Sequence, residues 1–527
     1  MYGIRFCAAS AGLCLLMMPV EGPAQSPAPK PNLVVILADD LGFSDIGCYG
    51  GEIQTPNVDK LAADGLRFTQ FYNTARCWPS RAALLTGYYA QQVNRDPPGR
   101  RPKWAALLPE LLRSAGYHSY HSGKWHLDGP VRKGGFERSY LVVDQDRHFG
   151  PRNHQLDDVP LPQPKPEDHY YSTTAIAQHA IDWLAEHQAK HRSEPFFLYL
   201  AFTCPHFPLQ APPEDIARYR GRFRDGWDML RQRRLERMRE LGIVDCSLSE
   251  RTPGVPAWDS LDATQKDDWE WHMAIHAAMV DRMDREIGRV LEQLHKTGSW
   301  DNTLILFCSD NGASAERLVR GDGHDPVAPP GSARTFLCLE PPWANLANAP
   351  LRKSKIFTHE GGISTPLIVH WPTRVKAHSE LRHTPGHFVD FVPTLLELAG
   401  VSAPATWNGV PRPVLPGRSL VPAFAKDVTI PHDFLYFHHQ TNRALRVGDW
   451  KIVASGADTP WELYDLAKDR SETHNLAGRY PDRVKELAAV WMEHDKEFRK
   501  QGATGGAVPP QKQQSSSQRQ AAGLTSP

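Results

Sequence analysis

Asn32-Leu33-Val34-Val35-Ile36-Leu37-Ala38, followed at once by Asp39-Asp40, is the stretch on which the fold turns. Six apolar residues in succession leave no polar face. Such a run suits a strand covered on both sides, as in a parallel sheet between helices. The two carboxylates that end it repel one another unless a cation or water lies between them, so a metal site and a solvated turn are both open here. Thr303-Leu304-Ile305-Leu306-Phe307-Cys308-Ser309 repeats the pattern and ends in Asp310-Asn311-Gly312. Two buried runs that each deliver a pair of oxygen donors say more than either alone, because ligands of open α/β sheets collect at the C-terminal strand ends. Asp39, Asp40, Asp310 and Asn311 are all oxygen donors, a set suited to Ca²⁺ or Mg²⁺ rather than to zinc.

Working outward, residues 196–203 form a third buried run, ending in Cys204-Pro205-His206-Phe207-Pro208. Residues 117–122 read as a strand that leads to Gly123-Lys124-Trp125-His126, and residues 66–72 as a strand or extended segment. Alternation in an extended segment places Lys124 and His126 on one side. Thr55 and Pro56 open a helix to about Asp64, and helical periodicity extends over 168–190, 267–296 and 388–401. The basic run 218–239 reads as a solvated helix face, or as a contact for a polyanion. Residues 313–348, Pro/Gly-rich and irregular, are expected to rim a pocket, with Lys355 just beyond them. After the Pro-rich stretch 403–416 the chain changes character. Short strands at 434–437, 444–447 and 450–454, a turn at Gly448-Asp449 and a helix over 481–500 follow. The expected architecture is therefore α/β. A large, mixed, mostly parallel sheet between helices spans residues 32–402, and a smaller α+β domain of antiparallel strands and one helix spans 403–500. Residues 501–527, rich in Gln and Ser, are expected to be disordered.

The chain has 527 residues, enough for more than one domain, with 60 Lys+Arg against 60 Asp+Glu. No net field favours nucleic acid or a membrane surface, so an anionic ligand would have to meet a local basic pocket. Arg5, an apolar run over 6–20 and Pro23-Ala24-Gln25 read as a secretory signal cleaved near Ala24, followed by a Pro-rich linker over 25–31. A periplasmic or secreted protein without stable membrane insertion is expected. Of the 8 cysteines, two fall in that leader; of the six that remain, a modified Cys77 would leave five, an odd number that defines no disulfide framework.

Cys77-Trp78-Pro79-Ser80-Arg81 precedes Ala82-Ala83-Leu84-Leu85-Thr86-Gly87. Pro79 and Ser80 suit a first helical turn and Gly87 a stop, which puts Cys77 just before a helix N-terminus. A buried structural cysteine and an activated one both fit that place. Cys77-x-Pro79-Ser80-Arg81 with Leu84-Thr86-Gly87 resembles the signature of the type I sulfatases of the alkaline phosphatase superfamily, and the resemblance extends over about residues 32–500.

The resemblance implies an alkaline phosphatase-like fold and hydrolysis of a sulfate monoester, such as a sulfated carbohydrate or an aryl sulfate. It implies that Cys77 is oxidised to formylglycine by a maturation enzyme, and that Asp39, Asp40, Asp310 and Asn311, with the residue at 77, hold a cation that is usually calcium. By the same resemblance Arg81 would hold the hydrate or the metal carboxylates, Lys124 and Lys355 would bind sulfate oxygens, and His206 would bind substrate and protonate the leaving alcohol. His126 would take the proton that expels sulfate. Related phosphonate and phosphodiester hydrolases share the motif and much of the metal site. An anion-binding protein with an unmodified Cys77 is the third possibility.

Overall fold

The computed structural model describes residues 1–3, 29–376 and 378–505. Most of the expected leader (residues 4–24) and positions 506–527 of the expected tail lie outside them. Eleven strands form one sheet. In chain order they are β1 (Asn32–Ala38), β2 (Leu66–Tyr72), β3 (His118–Gly123), β4 (Arg138–Val142), β5 (His154–Leu156), β6 (Val159–Pro160), β7 (Phe196–Ala201), β8 (Thr303–Ser309), β9 (Ser364–His370), β10 (Glu380–Arg382) and β11 (Gly386–His387). Across the sheet the order is β10-β2-β9-β8-β1-β7-β3-β4-β5-β6, and β11 also pairs with β2. The apolar β1 lies near the middle, parallel to β7 on one side and β8 on the other. β9 runs antiparallel to both β2 and β8, which makes the sheet mixed.

Both faces are covered, as the unbroken apolar runs require. Val34, Ile36 and Ala38 pack on one side with residues of the Ser172–Lys190 and Ala263–Lys296 helices. Leu33, Val35 and Leu37 face the other side, toward the Cys77–Thr86, Phe391–Ala399 and Pro481–Gly502 helices. The C-terminal ends of β1, β2, β3, β7 and β8 therefore open on one edge of the sheet. The segments that follow them carry Asp39, Cys77, Lys124, His206 and Asp310.

Beyond a ribbon of β12 (Thr406–Trp407) and β13 (Val410–Pro411), the strands β14 (Leu435–His439), β15 (Asn442–Val447), β16 (Trp450–Ser455) and β17 (Glu462–Asp465) make an antiparallel sheet. A buried ion cluster fixes it to the large sheet: Lys451 Nζ lies 2.8 Å from both Glu360 Oε1 and Glu472 Oε1. The closing helix runs from Pro481 to Gly502 and a short turn carries on to Gly505. Residues 501–505, expected in the disordered tail, are thus part of the fold. The backbone of Gln91 and Asn94 packs so closely on Gly502 that a Cβ there would sit 2.3 Å from the Gln91 carbonyl oxygen.

The basic run departs from its expectation. In the Gly226–Glu240 helix Arg231 and Arg234 are buried, while Arg233 and Arg239 are exposed. A spacing of three puts Arg231 and Arg234 on the inward face. There Arg234 reaches Asp45 Oδ1 (2.8 Å) and the two carboxylate oxygens of Glu52 (2.8 and 2.9 Å).

Candidate active site

The helix that carries the CWPSR stretch begins at Cys77 itself, with Arg76 in the N-cap position, two residues earlier than Pro79-Ser80 suggested. Gly87, in the left-handed region at φ 76, closes it by donating its N–H to the Ala83 carbonyl. Ser80 is spent on the local fold: its Oγ accepts the Thr74 N–H (3.0 Å) and bonds the Thr74 hydroxyl (2.9 Å). Arg81 lies one turn inward and is wholly buried. Its Nε donates to Asp310 Oδ2 (2.9 Å), its Nη2 lies 2.8 Å from the same oxygen, and its Nη1 donates to the Lys124 carbonyl (2.8 Å). A single guanidinium thus ties the cysteine helix to the ends of β8 and β3.

The acidic residues converge as the strand ends predict. Asp39 continues β1, and Asp40 follows through a left-handed turn at φ 68, a conformation that Asp tolerates better than most residues. Asn311 Nδ2 donates to Asp40 Oδ1 (2.6 Å) and to the Gly312 carbonyl (3.0 Å). A Cβ on Gly312 would lie 1.9 Å from the Gly361 carbonyl oxygen, so only glycine lets the chain pass there. Donor atoms of Asp39, Cys77 and Asp310 lie within 4.8 Å of one another, as do those of Asp39, Asp40 and His206.

Two buried oxygens in this group, Asp39 Oδ1 and Asn311 Oδ1, have no hydrogen-bond partner. Unpaired buried oxygens are costly, and a hard divalent cation among them would satisfy both. Burial pushes the carboxyls of Asp39 and Asp40 above the usual carboxylate range, against the pull of Lys124 on the first and Lys355 on the second. The donor set therefore fits a calcium-type ion.

Two lysines reach in from opposite sides. Lys124 Nζ donates to Asp39 Oδ2 (2.6 Å) and Lys355 Nζ to Asp40 Oδ2 (2.8 Å). Lys124 follows Gly123, whose φ of 118 and close approach to Ala201 (1.8 Å from a would-be Cβ to the carbonyl oxygen) again demand glycine. Beside Lys355, Ile356 takes φ 83, a conformation a β-branched residue rarely adopts, and donates its N–H to the carbonyl of Ala75, itself at φ 65. Backbone strain of this kind gathers at functional sites. It locks the Lys355 segment to the one that leads into Cys77.

His206 bonds the Phe207 carbonyl through Nδ1, which leaves Nε2 toward the site, 3.8 Å from Asp40 Oδ2. His126 lies in the loop after β3 at φ 58, and its Nδ1 is buried without a partner. Burial, reinforced by neighbouring cations, holds both imidazoles well below the ordinary histidine range. Those cations are led by Lys124 for His126 and by Lys355 for His206. Burial also pushes the Cys77 thiol up. Lys355 behaves oppositely: burial pulls its ammonium down, but Asp40, Cys77 and Glu316 together outweigh it and keep the group charged.

All ten residues singled out in the sequence, Asp39, Asp40, Cys77, Arg81, Lys124, His126, His206, Asp310, Asn311 and Lys355, stand at this edge of the sheet. Others there left no signal in the sequence. Glu316 lies 3.1 Å from Arg76 Nη1 and 3.4 Å from Lys355 Nζ, and despite burial those two cations hold it at about 2. Trp78 stands edge-on between His126 and His439 of the C-terminal sheet (ring centroids 5.6 and 5.4 Å away). Only the irregular 313–348 stretch hinted that a partner such as Glu316 would be found.

Residues 31–401 match the Sulfatase family, and residues 353–500 match the family described as N-sulphoglucosamine sulphohydrolase, C-terminal. The chain is 36% identical to an uncharacterised sulfatase of Schizosaccharomyces pombe, with 90% of this chain and 95% of that protein covered. It is 31% identical to an arylsulfatase of Klebsiella aerogenes, over 73% of this chain and 90% of that one. Among solved structures, Ps i-CgsB in complex with k-i-k-neocarrahexaose is similar at a TM-score of 0.66 and 26% identity, over 90% of this chain and 94% of that one.

Proposed function

The chain belongs to the sulfatase family, whose members hydrolyse sulfate esters, and we propose that this enzyme cleaves a sulfated carbohydrate or an aryl sulfate using formylglycine made from Cys77 and a bound Ca²⁺. The observation that carries this reading is the convergence of Cys77 with Asp39 and Asp310, beside two buried oxygens that lack partners and between two lysines. A carbohydrate substrate is supported by the oligosaccharide bound in the related Ps i-CgsB.

Asp39, Asp40, Asp310 and Asn311 would hold the cation, which when bound lowers the pKa of a coordinated hydroxyl and offsets anionic charge. The hydrated aldehyde at position 77 would supply the nucleophilic oxygen. Arg81 keeps the Asp310 carboxylate and the Lys124 backbone in register with position 77. Lys124 and Lys355 are fixed cations in a water-poor pocket, where charge stabilisation of sulfuryl oxygens is most effective. His206 presents Nε2 toward the site and would protonate the departing alcohol. An anionic ester beside Lys355 and Lys124 offsets the cations that depress this imidazole, so it would become a competent acid once substrate is bound. His126, neutral and with Nδ1 unpaired, is suited to accept the proton whose removal expels sulfate. The apolar N-terminal segment supports a periplasmic or secreted location.

Co-expression with a formylglycine-generating maturation enzyme should lower the mass of the Cys77 peptide. The matured protein should then release sulfate from an aryl sulfate and from members of a sulfated glycan panel. Cleavage of an aryl phosphate diester without sulfate release from any of these would overturn the proposal.

A further inference from the structure

Three imidazoles crowd together at the opposite end of the sheet from Cys77. His118 opens β3, which runs parallel to β7, so it lies at the N-terminal strand ends. His187 and His191, one turn apart, close the Ser172–Lys190 helix. Ring centroids are 3.8 Å apart for His118 and His191, 5.6 Å for His118 and His187, and 5.8 Å for His187 and His191. Glu194, in the loop before β7, contacts all three. Its Oε2 is 2.9 Å from His118 Nε2, its Oε1 is 3.4 Å from His191 Nδ1, and its carbonyl oxygen is 3.0 Å from His187 Nε2. Behind the cluster, Glu137 Oε2 is 2.8 Å from His118 Nδ1, and the Tyr120 hydroxyl is 2.9 Å from His187 Nδ1.

Side-chain donors of His118, His191 and Glu194 all lie within 4.8 Å of one another at a partly exposed position. Two imidazoles and a carboxylate are the ligands of a borderline cation such as Zn²⁺, unlike the all-oxygen set at the active site. A carboxylate on the far nitrogen is the arrangement that orients a metal-binding histidine, and Glu137 holds His118 in that way. His187 is used differently. Both its nitrogens are engaged, by Tyr120 and by the Glu194 backbone, so it fixes the loop that presents Glu194.

We propose that His118, His191 and Glu194 form a second metal site, selective for zinc-type cations. With three protein donors it leaves a coordination position for water. It would staple the start of β3, the end of the Ser172–Lys190 helix and the loop into β7.

The test uses the full chain, stripped of transition metals, saturated with Ca²⁺ and titrated with Zn²⁺ by calorimetry. One Zn²⁺ should bind per chain. His118→Ala and His191→Ala should each weaken binding at least roughly tenfold, and Glu137→Gln by roughly 10- to 100-fold, the usual cost of losing a carboxylate behind a ligating histidine. Zn²⁺ should raise the thermal midpoint of the native chain but not of His191→Ala. His191 is a third exposed and remote from Cys77, so sulfate release by His191→Ala should be unchanged, which verifies the fold. X-ray absorption of the zinc-loaded protein should show imidazole in the first shell. Absence of stoichiometric binding would leave His118 simply hydrogen-bonded between two glutamates and would overturn the site. Equal binding by the native chain and His191→Ala would place the zinc elsewhere and overturn it as well.

Discussion

Replacing Asp45 with Asn probes how the loop that bears Asp39 and Asp40 is held. Asp45 is wholly buried. Its Oδ1 accepts from Arg234 Nη1 (2.8 Å), and its Oδ2 lies 3.0 Å from His276 Nε2 and accepts the N–H of Gly42, two residues past Asp40. Burial pushes this carboxyl up, but His276 and Arg234 together outweigh it and hold it at about 2, below its ordinary 3.8. A carboxyl that ionises more readily in the folded state contributes stability that is complete above its ordinary pKa and is lost as pH falls through the folded value. Nearly two units at about 1.4 kcal/mol each amount to roughly 2.5 kcal/mol near neutral pH. Asp45→Asn should therefore unfold in urea with a deficit of roughly 2.5 kcal/mol at about pH 7, shrinking by about 1 kcal/mol at about pH 3. Arg234 stays paired with Glu52 in the variant, which limits collateral loss. A deficit under about 0.5 kcal/mol, or one of the same size at both pH values, would refute the reasoning.

Lys355→Ala should lower kcat/KM for an aryl sulfate by roughly 10²- to 10³-fold, with formylglycine content by peptide mass unchanged. His206→Ala should cost roughly 10²- to 10⁴-fold on a sugar sulfate but far less on an activated aryl sulfate, whose phenol departs without a proton. Gly123→Ala forces a Cβ into the Ala201 carbonyl at a left-handed φ, and should cost on the order of 3 kcal/mol or leave the protein insoluble on expression. Chelation of Ca²⁺ should lower the thermal midpoint, and Ca²⁺ at about 100 times its Kd should restore about 2.7 kcal/mol.

The strands buried on both faces were legible to the residue, as β1 and β8 show, because an unbroken apolar run has one comfortable environment. The direction of β9 was not, since a long connection constrains neither its neighbours nor its sense. Asp39, Asp40, Asp310 and Asn311 could be placed because donors at strand ends meet wherever the strands pair. Glu316 could not, because a loop five residues past Asn311 carries no period. Arg231 and Arg234 were misjudged for a related reason: a run of charges does not say which of its members turn inward to Asp45, Glu52 or the Ser249 carbonyl. The His118, His191 and Glu194 cluster is assembled from a strand start, a helix end and a loop, and no local pattern announces it.

The most direct measurement is anomalous X-ray scattering from crystals of the mature, calcium-loaded enzyme. The account predicts one calcium peak about 2.3–2.6 Å from oxygens of Asp39, Asp40, Asp310 and Asn311, against a modified residue at position 77. An active crystal form with no peak among those oxygens, or with an intact thiol at Cys77, would contradict it.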